Sequence, residues 1–301
     1  MEEEIIDLIQ EKGPLTGSEI LETTDGDGLI LWRTCRQSKN LDVRTIGTRY
    51  LRLDRRVEGL ARLSPSILRE FLTYSVVGFY RDHSSLIHRA KEISSHIEAV
   101  SRAKAELVYN AVAGLVNRFE NEPLISDQSC FIIAGDIVYN MAHDVPRPER
   151  STGKLVKGSD MDLVVIVGDL FPEKLMKRLD EAIYQEKYRL LIAPHLREEI
   201  DYIVKNLDRV REQVRCETFK HMVACKLLHE GTLLYGSERV FNMVKNMLRG
   251  CGIIQKLNGL EERARGFRKM AEEYLFQEDP RKCKEESLYL FYPTEESEEF
   301  E

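Results

Sequence analysis

Two aspartates separated by a single residue, Asp160 and Asp162, are the side chains in this sequence best placed to do chemistry. They directly precede residues 163–167, a Leu/Val/Ile run that is typical of a buried strand. Side chains two residues apart on a strand point to the same face, with Cα atoms about 6.6 Å apart. Neighbouring carboxylates repel each other, and a divalent cation between them removes that repulsion. Hard oxygen ligands suit Mg²⁺ or Mn²⁺ rather than zinc, so this segment predicts a metal site.

An isolated Asp-x-Asp triplet more often belongs to a solvated turn or a helix cap. Other segments of the sequence strengthen the prediction of a metal site. The apolar residues 131–134 end at Gly135 and Asp136. A glycine at the start of a helix lets backbone amides approach a phosphate. A third carboxylate, Asp201, lies in the alternating segment 199–204, which we interpret as a further strand. The alternative for Asp201 is an ordinary residue on the surface of that strand.

Together these segments resemble the catalytic signature of the nucleotidyltransferase superfamily that includes DNA polymerase β. That signature combines a strand and a glycine turn with a Ser-Asp-x-Asp-Leu segment, here residues 159–163, and a third carboxylate, here Asp201. Residues 230–236, Glu-Gly-Thr-Leu-Leu-Tyr-Gly, are similar to a segment that follows the catalytic domain in many small members. The resemblance covers about residues 127–245. It departs from the family at Asp136, where serine is usual and where a carboxylate would repel phosphate unless a metal or an arginine offsets it.

The resemblance implies an enzyme that transfers a nucleoside monophosphate from an NTP to an acceptor, which could be an RNA end, a protein hydroxyl or a small molecule. Asp160, Asp162 and Asp201 would be both the catalytic residues and the ligands of two Mg²⁺ or Mn²⁺ ions. The glycine turn and the serine of the signature would contact the nucleotide: Gly135, Asp136 and Ser159.

A basic loop lies between the glycine turn and the aspartates, in residues 144–157. Four of its side chains are predicted to bind the triphosphate or the leaving pyrophosphate: Arg147, Arg150, Lys154 and Lys157. The alternatives are a solvated loop, or a loop that binds the acceptor.

The first 63 residues resemble a winged-helix domain in their pattern of elements. Helices are predicted over 3–12, after Thr16 or Ser18, and over 29–38, and a short hairpin or wing is predicted over 43–53 around Gly47. Trp32 is expected to pack in the core of this domain.

A second basic region extends from Arg33 to Arg62. It holds nine basic and three acidic side chains, a local net charge of +6 in a chain whose net charge is −7. On a winged-helix shape these side chains would face a DNA or RNA backbone, and five of them are predicted nucleic-acid contacts: Arg33, Arg36, Arg44, Arg49 and Arg52. The alternative is that these arginines pair with acidic residues of the protein itself. This region also supports another function, a winged-helix DNA-binding regulator whose nucleotidyltransferase-like domain senses a nucleotide without catalysis.

The whole pattern predicts an α+β or α/β protein with a mixed sheet. We expect a winged-helix-like domain over residues 1–63, a helical connector over 64–126, and a catalytic domain over 127–214. A helical region over 215–292 and an acidic disordered tail over 293–301 follow. The apolar stripe of one long helix over 85–119 could pair with a second copy of the chain, although ordinary packing against the next domain explains it as well.

Composition points to a cytoplasmic protein. Six scattered cysteines form no Cys-x-x-Cys pair, the N-terminus is acidic, and no apolar run approaches the roughly 20 residues needed to cross a bilayer. We therefore expect reduced thiols and no membrane partner.

Overall fold

The computed structural model describes residues 1–24, 26–149 and 152–293, without the side chain of Glu58. The chain is of mixed α/β class. It divides into two compact units, one made of residues 1–97 with the segment from Leu260 onward, the other of residues 98–259. None of the helices within the described residues is both long and apolar enough to cross a membrane. The tail predicted over 293–301 lies outside the described residues, apart from Pro293.

The first unit begins with short helices and strands whose ends are capped by side chains. Thr16 Oγ accepts a hydrogen bond from the Glu19 amide, and the Glu19 carboxylate accepts one from the Thr16 amide. Asp27 accepts hydrogen bonds from the first amides of the third helix. The elements are α1 (Glu2–Lys12), β1 (Leu15–Thr16), α2 (Gly17–Thr23), α3 (Gly28–Gln37), β2 (Leu41–Thr45), β3 (Tyr50–Leu53), β4 (Ala61–Ser64), α4 (Ile67–Thr73), β5 (Ser75–Phe79) and α5 (His83–Val116).

Strand pairing in this unit differs from the prediction. An antiparallel three-stranded sheet has the order β1-β5-β2, and β3 pairs with β4. The hairpin predicted over 43–53 is therefore wrong, because β2 and β3 pair with other strands on either side of Gly47. The connector predicted over 64–126 as helical contains the strand β5 and begins at the last residue of β4. Short apolar runs such as β5 fit a strand or a helix equally well by pattern, and here pairing with two distant strands decides.

The remaining elements follow in chain order. They are α6 (Glu122–Gln128), β6 (Ser129–Ala134), β7 (Pro146–Pro148), β8 (Leu155–Lys157), β9 (Met161–Val167), α7 (Glu173–Ile192), β10 (Ile200–Asn206), α8 (Leu207–Gln213), α9 (Phe219–Glu230), β11 (Thr232–Gly236), α10 (Glu238–Gly250), α11 (Ile253–Gln277) and α12 (Pro280–Glu286). Those up to α10 and the start of α11 belong to the second unit, and α11 from Leu260 onward and α12 belong to the first. The strands predicted before the glycine turn, after the aspartates and around Asp201 are confirmed as β6, β9 and β10. β11 lies in a region predicted as helical, which corrects that part of the prediction.

The second unit is built on a four-stranded sheet of order β10-β9-β6-β11. β10 is parallel to β9, and the remaining pairs are antiparallel. Alternate residues of β6 and β9, such as Phe131 and Leu163, pack with α7 and with the end of α5. Helices α9 and α10 also contact β6. The helix predicted over 85–119 is confirmed as α5. Val108, Val112 and the residues around them are buried in this core, so part of its stripe packs within the chain.

The first unit draws its core from both ends of the chain. Residues of α1, α3 and α4 pack with Ala271, Leu275, Cys283 and Phe291. Trp32 is buried, as predicted, and stacks on Phe276 with ring centroids 4.2 Å apart. This division differs from the predicted boundaries, because part of the region predicted as 215–292 completes the core of the first unit.

Candidate functional site

The three predicted acidic residues lie at one end of two adjacent strands. In the parallel register of β9 and β10, Asp162 is paired with Asp201. Paired residues share a face of the sheet, and neighbouring strands are about 4.8 Å apart. Asp160 directly precedes β9, and the amide of Met161 donates to the Glu199 carbonyl at 2.9 Å. The pairing thus extends back toward Asp160.

A fourth carboxylate, Glu199, lies at the same place and was not predicted from the sequence. It is buried, and Arg147 Nη2 donates to it at 2.8 Å. Burial raises the pKa of Glu199. The charge of Arg147 opposes this rise, while Asp160 and Asp201 add to it. A signal was present in the sequence, since Glu199 and Asp201 repeat the spacing of Asp160 and Asp162.

The glycine turn packs directly against one of the predicted metal ligands. Ala134, at the end of β6, is paired with Asp162 on β9. Gly135 has φ +70°, and a Cβ at this position would lie 2.1 Å from Asp162 Oδ2. Both the left-handed backbone and the lack of space therefore require glycine.

Glu230, at the end of α9, fixes this turn. It accepts hydrogen bonds from the Gly135 amide at 3.3 Å and from the Tyr139 hydroxyl at 2.7 Å. Lys226, one helical turn earlier, forms an ion pair with it at 2.5 Å. Glu230 opens the Glu-Gly-Thr-Leu-Leu-Tyr-Gly segment, which the sequence identified without assigning it a role. The Gly135 amide, expected to approach a phosphate, here has Glu230 as its acceptor, and residues Gly135–Tyr139 form a short 3₁₀ helix instead of an α-helix.

Asp136 and Ser159, the two residues predicted to contact the nucleotide beside Gly135, contact each other. Ser159 Oγ donates to Asp136 Oδ2 at 2.8 Å and accepts from the His143 amide at 3.2 Å. The serine of the Ser-Asp-x-Asp segment therefore stabilises the unusual carboxylate in the glycine turn.

The basic loop contains a small hairpin of β7 and β8. Arg147 Nε donates to the Gly158 carbonyl at 2.7 Å, which anchors the hairpin next to the aspartates in addition to the Glu199 contact. Lys157 Nζ donates to the His195 carbonyl at 3.1 Å, and the Lys154 side chain is exposed. Arg150 lies outside the described residues.

Asp201 already has a positively charged partner. Lys187, on α7, forms an ion pair with Asp201 Oδ1 at 3.0 Å. Across the described part of the chain, no three His, Cys, Asp or Glu side chains converge closely enough to form a ready metal site. The carboxylates of Asp160, Asp162 and Asp201 are therefore oxygen ligands of the kind that Mg²⁺ prefers, and they lie on, or directly before, neighbouring strands. Asp201 is already paired with Lys187.

In the first unit, two of the five arginines predicted to contact nucleic acid, Arg33 and Arg49, make close contacts with other residues of the protein. Arg33 donates to the carbonyls of Glu278 at 2.7 Å and Phe276 at 3.0 Å. Arg49 forms ion pairs with Glu70 at 2.5 Å and Glu272 at 3.1 Å. The contacts of Arg49 match the alternative of pairing with acidic residues, whereas Arg33 is held by backbone carbonyls. The remaining three have exposed side chains: Arg36, Arg44 and Arg52.

No protein-family model, curated protein or solved structure matches this chain. Function is therefore inferred from the residues of the site itself.

Proposed function

We propose that the second unit is a metal-dependent nucleotidyltransferase with a polymerase-β-like fold, which transfers a nucleoside monophosphate from an NTP to an acceptor. The observation that carries this proposal is the parallel register that pairs Asp162 with Asp201 beside the turn at Gly135. In this register the glycine turn, the Asp-x-Asp segment and the strand that carries Asp201 lie at one end of one sheet.

The chemistry of the donor set supports a divalent ion. Asp160, Asp162 and Asp201 offer hard oxygen ligands, which suit Mg²⁺ or Mn²⁺. Glu199 adds a buried carboxylate whose pKa is raised by burial, lowered by Arg147 and raised again by Asp160 and Asp201. The aspartates thus place several negative charges at one end of the sheet. A bound ion would offset that charge, stabilise the transferring phosphoryl group and lower the pKa of the acceptor hydroxyl. Lys187 contacts only Oδ1 of Asp201, which leaves Oδ2 to meet an ion.

The protein's own residues would position the reactants. Gly135 and Glu230 hold the backbone against Asp162, and Arg147 holds the hairpin against Gly158. The Lys154 and Lys157 side chains would meet the negative charge of the triphosphate.

Label transfer tests this function. The protein is incubated with Mg²⁺ or Mn²⁺, each α-labelled NTP in turn, and cell RNA or protein extract. We expect label in one acceptor class with the wild type and none with D160N or D162N, whose circular dichroism should match the wild type. Full transfer by either variant would contradict the metal assignment, and no transfer by the wild type with any NTP would contradict the activity.

A second candidate function is a winged-helix DNA-binding regulator with a non-catalytic nucleotide-sensing domain. It is favoured by the order β1-β5-β2 with helices α1, α2 and α3, an arrangement typical of winged helices, and by Asp136 in the place of serine. The internal partners of Arg33 and Arg49 weigh against it. This candidate predicts nucleotide binding without turnover, which the same label-transfer experiment distinguishes.

A further inference from the structure

An exposed stripe of large side chains runs along α7. Tyr184, Tyr188 and Ile192 are 57%, 50% and 43% exposed. They follow each other at intervals of four residues and therefore lie on one face of the helix. A contiguous row of exposed apolar side chains marks a binding surface more often than scattered single ones do.

The stripe ends at a surface cavity of about 350 Å³. Ile192 belongs to both the stripe and the cavity wall, so the two surfaces are continuous. The cavity floor is apolar, and among the described residues its charged lining groups are both cations. The lining residues are Lys154, Leu155, Leu191, Ile192, Pro194 and Arg197.

Backbone hydrogen bonds fix the wall of this cavity. The Lys157 amide donates to the Arg197 carbonyl at 2.9 Å, and the Arg197 amide donates to the Ala193 carbonyl at 3.0 Å. Lys157 Nζ donates to the His195 carbonyl at 3.1 Å. The β7–β8 hairpin and the loop after α7 are thereby tied together where Lys154 and Arg197 flank the apolar floor.

A side chain next to the stripe on α7 reaches the carboxylate site. Lys187, three residues after Tyr184, forms the 3.0 Å ion pair with Asp201. Side chains three residues apart on a helix are neighbours. Asp201 lies on the face of the sheet away from α7, and Lys187 reaches it at the edge strand β10. A ligand lying along the tyrosines would therefore approach Asp201 around the edge of the sheet.

These features suit one class of ligand. Proteins that hold single-stranded nucleic acid combine aromatic rings, on which bases stack, with cations that meet the phosphates. Four residues of α-helix rise about 6 Å, which leaves room for each tyrosine to stack on a separate base. The cations at Lys154 and Arg197 complement the charge of the phosphates.

We propose that this surface (Tyr184, Tyr188, Ile192 and the adjoining cavity) binds single-stranded nucleic acid and presents its end as the acceptor. The acceptor role rests on the proposed nucleotidyltransferase function. In that step the terminal hydroxyl oxygen forms a bond to the α-phosphorus of the NTP. The bond from that phosphorus to the oxygen bridging to the β-phosphorus breaks, pyrophosphate leaves, and the hydroxyl proton passes to solvent.

Binding is tested on the full chain without metal, so that it does not depend on catalysis. Fluorescence anisotropy is measured with short unstructured RNA and DNA strands of matched sequence and with the corresponding duplex. We expect a single strand to bind more tightly than the duplex. The single strand that binds more tightly, RNA or DNA, is the kind of nucleic acid that this surface recognises. Y184A and Y188A should each weaken binding about ten-fold, while Y188F should bind like the wild type because it keeps the ring.

The cations are tested through the salt dependence of the same binding. K154A and R197A should each reduce the slope of log K against log salt by about 0.7, the value expected for one phosphate contact with a single strand. The matched controls are Y109A, which removes a tyrosine on α5 that is 46% exposed, and K220A, which removes an exposed lysine on α9. Both should bind like the wild type, and circular dichroism checks that each variant folds.

Unchanged affinity in the Y184A/Y188A double variant would overturn this inference. So would a wild-type dimer that this double variant converts to monomers without altering nucleic-acid affinity, because the stripe would then be a protein interface. D162N should retain full nucleic-acid affinity, which separates the two proposals. Transfer to protein without single-strand binding would overturn only the inference. Tight single-strand binding without any transfer would uphold the binding surface and contradict the proposed function.

Discussion

At the scale of single residues, three of the acidic groups near the aspartate pair are held by a neighbour. Lys187 pairs with Asp201 at 3.0 Å, Arg147 donates to Glu199 at 2.8 Å, and Ser159 donates to Asp136 at 2.8 Å. A ligand that enters the site competes with these partners. Its affinity therefore depends on the basic and hydroxyl side chains as well as on the aspartates.

The first prediction concerns Gly135, where a Cβ would meet Asp162 Oδ2 at 2.1 Å and where φ is +70°. G135A should lower the free energy of unfolding by about 2–4 kcal/mol, since left-handed backbone and overpacking each cost about 1–3 kcal/mol. Urea denaturation provides the measurement. The matched control is G114A on α5, where a Cβ meets nothing within 4 Å. Alanine there should stabilise by about 0.5–1 kcal/mol. Equal stability of G135A and wild type would contradict the described packing.

A second prediction follows from Lys205, which is buried and donates to Gln213 Oε1 at 2.8 Å. Burial lowers the pKa of Lys205 to about 8, from a usual 10.5. The folded-state pKa lies below the unfolded one, so the unfolded chain binds more protons between these values and stability rises with pH in this window. The free energy of unfolding of the wild type minus that of K205M should therefore increase from pH 8 to pH 10.5. A difference that is flat over this range would contradict it.

At the scale of elements, local pattern was enough for some strands and insufficient for others. Strands β6, β9 and β10 were predictable, because each is a short apolar or alternating run bounded by polar residues or glycine. β5 and β11 were missed, because their short apolar patterns also fit helices. The pairing of Asp162 with Asp201 depends on long-range register, which the sequence does not encode locally. Glu199 was missed for the same reason, although its spacing from Asp201 was visible.

The third prediction concerns the end of α9, which carries Glu230. Lys245 Nζ donates to the carbonyls of Leu228, His229 and Gly231 at 2.8, 2.7 and 2.6 Å. K245M would leave these carbonyls without their charged donor, so it should lower the free energy of unfolding by about 2–3 kcal/mol. K177M, at a lysine that is 72% exposed, should change it by less than about 0.5 kcal/mol. Equal effects of the two substitutions in urea denaturation would show that Lys245 does not stabilise the helix end.

At the scale of the whole molecule, the chain is organised as one continuous and one discontinuous unit. Residues 98–259 form the second unit, while the first combines residues 1–97 with the segment from Leu260 onward. Composition and linker signals could not reveal this division, because α5 and α11 each pass between units without a break in helical pattern.

A fourth prediction tests this division with two fragments. Residues 98–259 contain their whole hydrophobic core and should unfold cooperatively on their own. Residues 1–97 lack Ala271, Leu275, Cys283 and Phe291 and should be much less stable, because burying each large side chain contributes about 1.5–3 kcal/mol. Urea denaturation followed by circular dichroism compares the two. A cooperative transition of equal stability in fragment 1–97 would contradict the shared core.

The central claim is that Asp160, Asp162 and Asp201 bind catalytic divalent ions, and metal-dependent stability tests it most directly. At about 100 times the Kd, an ion that binds only the folded protein stabilises it by about 2.7 kcal/mol. We predict that Mn²⁺ or Mg²⁺ raises the free energy of unfolding of the wild type, with and without NTP. D162N should show no such rise and should be at least as stable as the wild type without metal, because one member of a repelling pair has been removed. A wild type whose unfolding is unchanged by millimolar Mg²⁺ and Mn²⁺, alone and with each NTP, would contradict the account.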